Sequence, residues 1–333
     1  MIRVAINGFG RIGRNIVRAL YERNLQTQLE IVAINDLGSP AINAHLLKHD
    51  TTHGVFAADV SATDQALCIN GHHIQILSSR EPASLPWADL KIDIVFECTG
   101  LFTTRNHAHA HIEAGAKKVI ISAPAPDADA TIVYGVNDAI LTGEMEIISN
   151  ASCTTNCLAP IAKVLDETFG LIEGQITTIH SFTNDQKLTD VYHQDPYRAR
   201  AAGHSMIPTK TGAAAAVGLV LPHLKGRLDG TAVRVPTLNV SLVDLTCRLS
   251  RTVTATEINA ALSSAAERSP KHILATNALP LVSIDFNHHP ASAIVDLNQT
   301  HITGELVKVM AWYDNEWGFS NRMLDTTLAW LAA

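Results

Sequence analysis

Arg3-Val4-Ala5-Ile6-Asn7-Gly8-Phe9-Gly10-Arg11-Ile12-Gly13-Arg14 decides the fold. Arg3 to Asn7 is a short β-prone run, Gly8 to Gly13 fits G-x-G-x-x-G, and Arg14 to Glu22 places Ile16, Val17, Leu20 and Tyr21 at helical spacing. Strand, tight turn and helix in that order form a dinucleotide-binding pattern. The first glycine permits the turn, the second lets backbone approach a pyrophosphate, the third packs helix on sheet, and the helix N-terminal N–H groups meet the negative charge. A second apolar run, Glu30 to Asn35, ends in Asp36, 23 residues after Gly13. A carboxylate there accepts from the adenosine ribose hydroxyls and repels a 2′-phosphate. Gly8, Gly10, Gly13 and Asp36 are therefore candidate cofactor residues, with NAD expected over NADP.

Working outward, buried-strand candidates follow at Ile92 to Cys98, Lys118 to Ser122 and Glu146 to Ser149, with a helix over His107 to Ala114. Residues 1–151 thus read as a Rossmann-type doubly wound parallel sheet domain, α/β in class, whose ligands are expected outside the carboxyl ends of its strands. Residues 152–314 change character. One helical stretch, Ala159 to Phe169, precedes β-rich segments at Gln175 to His180, Thr231 to Asn239, Ser241 to Leu249, Leu281 to Asp285, Ala293 to Asp296 and Leu306 to Tyr313. That pattern predicts an α+β catalytic domain with a mixed or antiparallel sheet. The polar stretch Thr183 to Ser205 has little periodicity, and so long a loop in a compact domain is usually functional. Residues 315–333 are expected as a C-terminal helix returning to the first domain, with helical spacing from Asn321 to Leu331.

A length of 333 residues leaves room for two domains. With 25 Lys and Arg against 32 Asp and Glu the formal charge is −7, which gives no global field for nucleic acid as a main partner or for an anionic membrane. No segment approaches eighteen uninterrupted apolar residues and no signal-peptide core is evident, while five scattered cysteines fit a reducing cytoplasm. The pairs His72-His73 and His288-His289 and the run His107, His109, His111 carry no metal-ligand pattern; no metal site is expected, and these histidines read as mostly surface.

Cys153 lies in Ser149-Asn150-Ala151-Ser152-Cys153-Thr154-Thr155-Asn156-Cys157, where capping-type residues precede a helical pattern from Leu158 onward. At a helix start, the dipole and a neighbouring imidazole both favour the nucleophilic thiolate. The residues alone leave open whether Cys153 is a nucleophile or a small buried apolar side chain. Cys157, four residues on, reads as structural, since C-x-x-x-C matches no standard metal or redox site. His180 ends a strand just before the polar loop, a good place for a general base. Thr183, Arg198, Thr211-Gly212 and Arg234 are the sort of hydroxyl, guanidinium and backbone donors that bind phosphate, though each is ordinary by itself.

Taken with Lys48 to Gly54, Glu97-Cys98-Thr99-Gly100, Thr209 to Ala214, Arg234-Val235-Pro236-Thr237 and Trp312-Tyr313-Asp314-Asn315-Glu316, these segments resemble the phosphorylating glyceraldehyde-3-phosphate dehydrogenases from end to end. The resemblance implies an NAD-dependent oxidoreductase in which Cys153 is the nucleophile and His180 activates it and assists proton transfer. A thiohemiacetal would be oxidised to a thioester and cleaved by inorganic phosphate to 1,3-bisphosphoglycerate, a step of glycolysis and gluconeogenesis. By the same carry-over, Thr183 and Arg234 would hold the substrate phosphate. Ser152, Thr154, Thr211 and Gly212 would hold the attacking phosphate, with Arg198 where the two sites meet. Arg11, Ile12, Asp36, Arg80, Ser122 and Asn315 match cofactor-contact positions, Asn315 orienting the nicotinamide amide. The family implies a cytoplasmic homotetramer, the long polar loop packing near a neighbour's cofactor.

The sequence departs from the family pattern at Pro236-Thr237-Leu238-Asn239, at Tyr197 beside Arg198 and at Val191-Tyr192; the first two leave the register of Arg198 open, and the third leaves the choice between NAD and NADP less constrained. Two other readings stand beside the main one. Erythrose-4-phosphate dehydrogenase, which serves vitamin B6 supply, shares the Cys and His and resembles Leu281 to Asp285 and Ser292 to Asp296. Thr183-Asn184-Asp185 and Thr209-Lys210-Thr211-Gly212 favour the triose phosphate. A catalytically silent NAD-binding regulatory protein would share the fold, but the retained Cys153, His180 and phosphate-type ligands favour an enzyme.

Overall fold

Ile2–Asn7 is a strand buried on both faces from Val4 onward, as the middle of a helix-covered parallel sheet must be. The computed structural model describes residues 1–270 and 273–333. They fall into two units, Met1–Ile132 with Asp138–Ala151 and Ser320–Ala333, and Val133–Asn137 with Ser152–Phe319.

Among the described residues the first unit carries a nine-stranded sheet. Its order is Ala130–Thr131, Ile147–Ser149, Lys118–Ile121, Ile94–Glu97, Ile2–Asn7, Leu29–Asn35, His72–Leu77, Ala66–Ile69 and Val60–Ala62. The first seven are parallel, and the last two extend the sheet as an antiparallel meander. The chain leaves Ile2–Asn7 for Leu29–Asn35 on one side and later returns to Ile94–Glu97 on the other. The carboxyl end of the first strand is therefore the topological switch point at which such sheets bind ligands. Trp87, Ile92, Val95, Val119 and Ile147 form part of the core beneath.

Helix Arg11–Glu22 starts at Gly10 without a side-chain cap, while Pro40–Lys48, absent from the sequence reading, is capped by Ser39 and opened by Pro40. One histidine of the expected surface run is not on the surface: His111 is fully buried in helix Arg105–Glu113, held between Trp87 and Glu97. Polar partners on both ring nitrogens meet the cost of its burial.

The second unit carries an eight-stranded mixed sheet among its described residues. Leu171–Ser181 runs parallel to Leu228–Val235 and antiparallel to Ser241–Leu249, which pairs in turn with Leu306–Tyr313. Helices Cys153–Phe169, Ala213–Val220 and Ala255–Arg268 belong to this unit. The first begins six residues before the expected Ala159, because Ser152 caps it and outweighs the weak helix propensity of Cys, Thr and Asn. The strand expected over Leu281 to Asp285 is a 3-10 turn, Ser283–Phe286. The Val282 N–H donates to Asp285 Oδ2 at 2.8 Å, a local bond that competes with a sheet ladder. Thr183 to Ser205 has no long element and is tied internally by Asp185–Arg198 and Asp190–Arg200 ion pairs. Trp317–Ala332 is the last helix, and no described helix is long and apolar enough to cross a membrane.

Candidate active site

Cys153 is the first residue of its helix, with Ser152 Oγ accepting the Thr155 N–H at 3.0 Å. Two residues earlier, Ala151 has φ +58°, a left-handed conformation that costs a non-glycine residue roughly 1–2 kcal/mol and turns the chain sharply onto the helix. His180 stands next to last in the strand Leu171–Ser181, and its Nε2 lies 3.4 Å from Cys153 Sγ. The parallel register pairs His180 with Arg234, which brings the guanidinium alongside the imidazole. Arg234 Nη1 is 2.7 Å from His180 Nδ1 and 3.0 Å from the Ser181 carbonyl, which is itself 2.7 Å from Nδ1.

These contacts set the protonation states. Burial, and then the Arg234 charge, push His180 down to about 3, against the opposing bond to Ser181, so the imidazole is neutral near pH 7 and able to accept a proton. Burial pushes the Cys153 thiol up, and the Arg234 charge and hydrogen bonds to Thr154 and its own backbone oppose it. The thiolate bias expected from the helix dipole is thus offset by desolvation in the resting site, and the Arg234 charge is the strongest influence working the other way. Cys157 is buried behind, its thiol raised by the same desolvation, in keeping with a structural role.

The remaining candidates in this unit are placed unequally. Ser152 Oγ also lies 2.7 Å from Thr155 Oγ1, and Thr155 Oγ1 donates to the Ala213 carbonyl at 3.4 Å, so the first turns of Cys153–Phe169 and Ala213–Val220 are neighbours. Thr211 Oγ1 accepts from Ala213 N–H and Gly212 is the second helix's N-cap, without a side-chain cap of its own. The Thr154 side chain is buried, with Oγ1 2.8 Å from Tyr313 Oη, so what Thr154 can offer a phosphate is backbone. Tyr313 also bonds Thr178 and sets its ring edge-on to His180 at 5.9 Å, a supporting role that the sequence reading missed although Tyr313 lay in a quoted segment. Thr183 N–H donates to Gln186 Oε1. Arg198 donates to Asp185 Oδ2 at 2.5 Å and to Thr209 Oγ1 at 2.9 Å, which anchors its guanidinium within the loop, while Tyr197 next to it is exposed. Asn315 is buried, its Oδ1 accepting from Ser241 Oγ at 2.8 Å.

In the first unit the glycine pattern has the geometry that a dinucleotide needs. Gly8 has φ +92°, and a Cβ there would lie 2.7 Å from Thr99 N. A Cβ on Gly13 would lie 2.4 Å from the Gly8 carbonyl oxygen, whereas nothing lies within 4 Å of one on Gly10. Turn, close helix packing and open approach are thereby assigned to three different glycines. Asp36 accepts from Phe9 N–H at 2.9 Å and Gly38 N–H at 2.8 Å, which fixes its carboxylate at the strand end. Arg11 makes a two-pronged ion pair with buried Asp50, and Ile12 follows it half-buried in the first helical turn. Ser122 is half-buried beside Glu97, whose carbonyl accepts its N–H at 3.0 Å, and Arg80 is exposed just past the strand His72–Leu77. Among the described residues no group of three or more His, Cys, Asp or Glu side chains could hold a metal ion.

Two family models match: "Glyceraldehyde 3-phosphate dehydrogenase, NAD binding domain" over residues 2–105 and "Glyceraldehyde 3-phosphate dehydrogenase, C-terminal domain" over residues 152–315. The chain is 62% identical over 329 residues to the chromosomal glyceraldehyde-3-phosphate dehydrogenase of Cupriavidus necator, covering 98% of both chains. It is 59% identical over 332 residues to that of Pseudomonas aeruginosa, covering 100% of this chain and 99% of the other. The chain belongs to the glyceraldehyde-3-phosphate dehydrogenase family. NAD is accordingly the cofactor of the glycine-bearing unit, which fits the uncapped helix and open Gly10. A glyceraldehyde-3-phosphate dehydrogenase of Bacillus cereus is 53% identical over 327 residues, covering 98% of this chain and 97% of the other.

Proposed function

We propose that this chain oxidises D-glyceraldehyde 3-phosphate with NAD and captures the acyl group as 1,3-bisphosphoglycerate. The observation that carries the reading is the Cys153 thiol at a helix N-terminus, 3.4 Å from a neutral His180 that Arg234 flanks. His180 Nε2 takes the thiol proton, and Cys153 Sγ bonds to the aldehyde carbon to give a thiohemiacetal. The positive helix end and His180 Nε2–H stabilise its oxyanion. Bound NAD supplies the two-electron acceptor. Cys153 then carries a thioester, which conserves the oxidation energy; a phosphate oxygen bonds to the acyl carbon and the Sγ–carbon bond breaks, returning the thiolate.

Arg234 and Thr183 are the proposed ligands of the substrate phosphate. The neighbouring helix starts at Ser152–Cys153 and Gly212–Ala213, with Thr211 and the Thr154 backbone, are those of inorganic phosphate, with Arg198 alongside. In the first unit Gly8, Gly10, Arg11, Ile12, Gly13, Asp36, Arg80 and Ser122 are proposed to bind NAD, and Asn315 to meet its nicotinamide. Residues 1–151 would be the NAD-binding domain and 152–314 the catalytic domain, completed by the segment 315–333. The product places the enzyme in glycolysis and gluconeogenesis. A cytoplasmic homotetramer completes the proposal, supported by five free cysteines and by the exposed Leu188, Val191, Tyr192 and Met206 on or beside the polar loop. Acid-quenching the enzyme with NAD and aldehyde but no phosphate tests the chemistry. A phosphoglyceroyl adduct on the Cys153 peptide is expected, and an adduct elsewhere or none contradicts the reading.

A further inference from the structure

Three parallel strands of the first unit end in polar residues at one register level: Asn7 pairs with Asn35 on one side and with Glu97 on the other. All three side chains are buried, and they are bonded to one another. Asn7 Nδ2 donates to Glu97 Oε2 at 2.6 Å, and Asn35 Nδ2 donates to Asn7 Oδ1 at 2.7 Å. Beyond Glu97, His111 Nε2 lies 3.1 Å from Oε2 and Trp87 Nε1 lies 3.0 Å from His111 Nδ1. Beyond Asn35, its Oδ1 accepts the Ser79 N–H at 2.8 Å and its Nδ2 also donates to the Ser79 carbonyl at 2.9 Å.

The direction of every bond in this row is forced. An indole N–H can only donate, so His111 Nδ1 accepts and the proton sits on Nε2, aimed at a carboxylate that can only accept. Glu97 Oε2 therefore takes two donors, which is why Asn7 Nδ2 and His111 Nε2 converge to 3.4 Å without bonding each other. The amide orientation of Asn7 follows, and it agrees with that of Asn35, which the Ser79 N–H and carbonyl fix from the other end. Glu97 Oε1 meanwhile accepts both the Thr99 N–H, at 2.8 Å, and the Thr99 hydroxyl, and Thr99 Oγ1 accepts the Leu101 N–H at 3.0 Å. Thr99 N is also the atom that a Cβ on Gly8 would strike.

We infer that Trp87, His111, Glu97, Asn7 and Asn35 form one oriented hydrogen-bond row that positions the proposed NAD-contact loop at Ser79-Arg80 and the Thr99-Gly100 turn against Gly8, its direction fixed at one end by the indole of Trp87 and at the other by the Ser79 backbone. They are positioning residues, acting through the loops. The inference rests on the proposed NAD contact near Arg80. Glu97→Gln tests it, because either orientation of the new amide turns its NH2 group toward an existing donor, Thr99 N–H on one side or Asn7 and His111 on the other. The expected result is an NAD KM raised about tenfold or more with kcat at saturating NAD within about threefold, the size of one buried donor conflict. Adding Trp87→Phe frees His111 to carry its proton on Nδ1 and present Nε2 as an acceptor to the new amide. The double variant should therefore bind NAD at least about threefold more tightly than Glu97→Gln alone, where loss of packing alone would weaken it further.

An NAD KM changed less than tenfold in Glu97→Gln, or no recovery in the double variant, overturns the inference. Should Glu97→Gln fail to fold, neutron diffraction of the unaltered protein decides: deuterium on His111 Nε2 alone supports the row, and deuterium on Nδ1 overturns it. Failure of the unaltered protein to bind NAD would instead remove the cofactor reading.

Discussion

Arg234 Nη1 and the Ser181 carbonyl both lie 2.7 Å from His180 Nδ1, so one ring nitrogen faces a donor and an acceptor at once. When Nδ1 donates to Ser181, Nε2 is free to take the Cys153 proton; when Nδ1 accepts from Arg234, Nε2 carries the proton and can donate to sulfur or to an oxyanion. Taking the thiol proton on Nε2 while Nδ1 keeps its own makes the ring doubly protonated, a form that burial and then the Arg234 charge make costly, so the proton is held only while sulfur attacks and is offered from Nε2–H to the oxyanion.

With the thiol removed by Cys153→Ser, His180 should therefore show no titration between pH 5 and 8. Its pKa is displaced downward to about 3, so the ring gains its second proton only in strongly acidic solution. Histidine chemical shifts against pH check this. A midpoint near the ordinary value of about 6.5 would contradict the account.

Arg234 lowers the Cys153 thiol pKa against the pull of burial. Arg234→Ala should therefore raise it and slow alkylation of Cys153 by iodoacetamide at pH 7 about tenfold, with Arg234→Lys intermediate. Alkylation as fast as in the unaltered protein would show that the guanidinium does not tune the nucleophile.

In the proposed cofactor site, the Asp36 carboxylate at the end of Leu29–Asn35 would meet a 2′-phosphate with its charge. Asp36→Ala should raise the NAD KM about tenfold and narrow the preference for NAD over NADP by at least as much. Part of the loss is local, since Phe9 and Gly38 N–H groups lose their acceptor. Initial rates with both cofactors measure the ratio, and an unchanged ratio would remove Asp36 from cofactor selection.

Asp50 accepts from Arg11, Thr52 N–H and His53 N–H, and those bonds hold its carboxyl far below the usual range against the opposing effect of burial. A depressed folded-state pKa contributes stability above the unfolded value of about 3.9 that is lost as pH falls below it. Asp50→Asn should cost about 2–4 kcal/mol at pH 7 and less at pH 3, read from denaturant midpoints. A pH-independent difference would place the stabilisation elsewhere.

Legibility was uneven for physical reasons. The switch point and its glycines were readable because each Gly has a single steric purpose within fourteen residues, and Cys153 because Ser152 marks a helix start. The Pro40–Lys48 and Ala255–Arg268 helices carry weak apolar periodicity and rest on caps at Ser39 and Thr254 instead. Pairings that depend on register stayed hidden: nothing local to Arg234 says that it stands beside His180, or that His111 leaves its exposed neighbours to bury itself against Trp87 and Glu97.

The most direct test is NADH formation from D-glyceraldehyde 3-phosphate by the purified protein, with and without inorganic phosphate, alongside Cys153→Ser. Sustained turnover that requires phosphate, reduced at least about a thousandfold in the variant, is the predicted result. Turnover that is indifferent to phosphate, or that survives loss of the thiol, would contradict a thioester on Cys153.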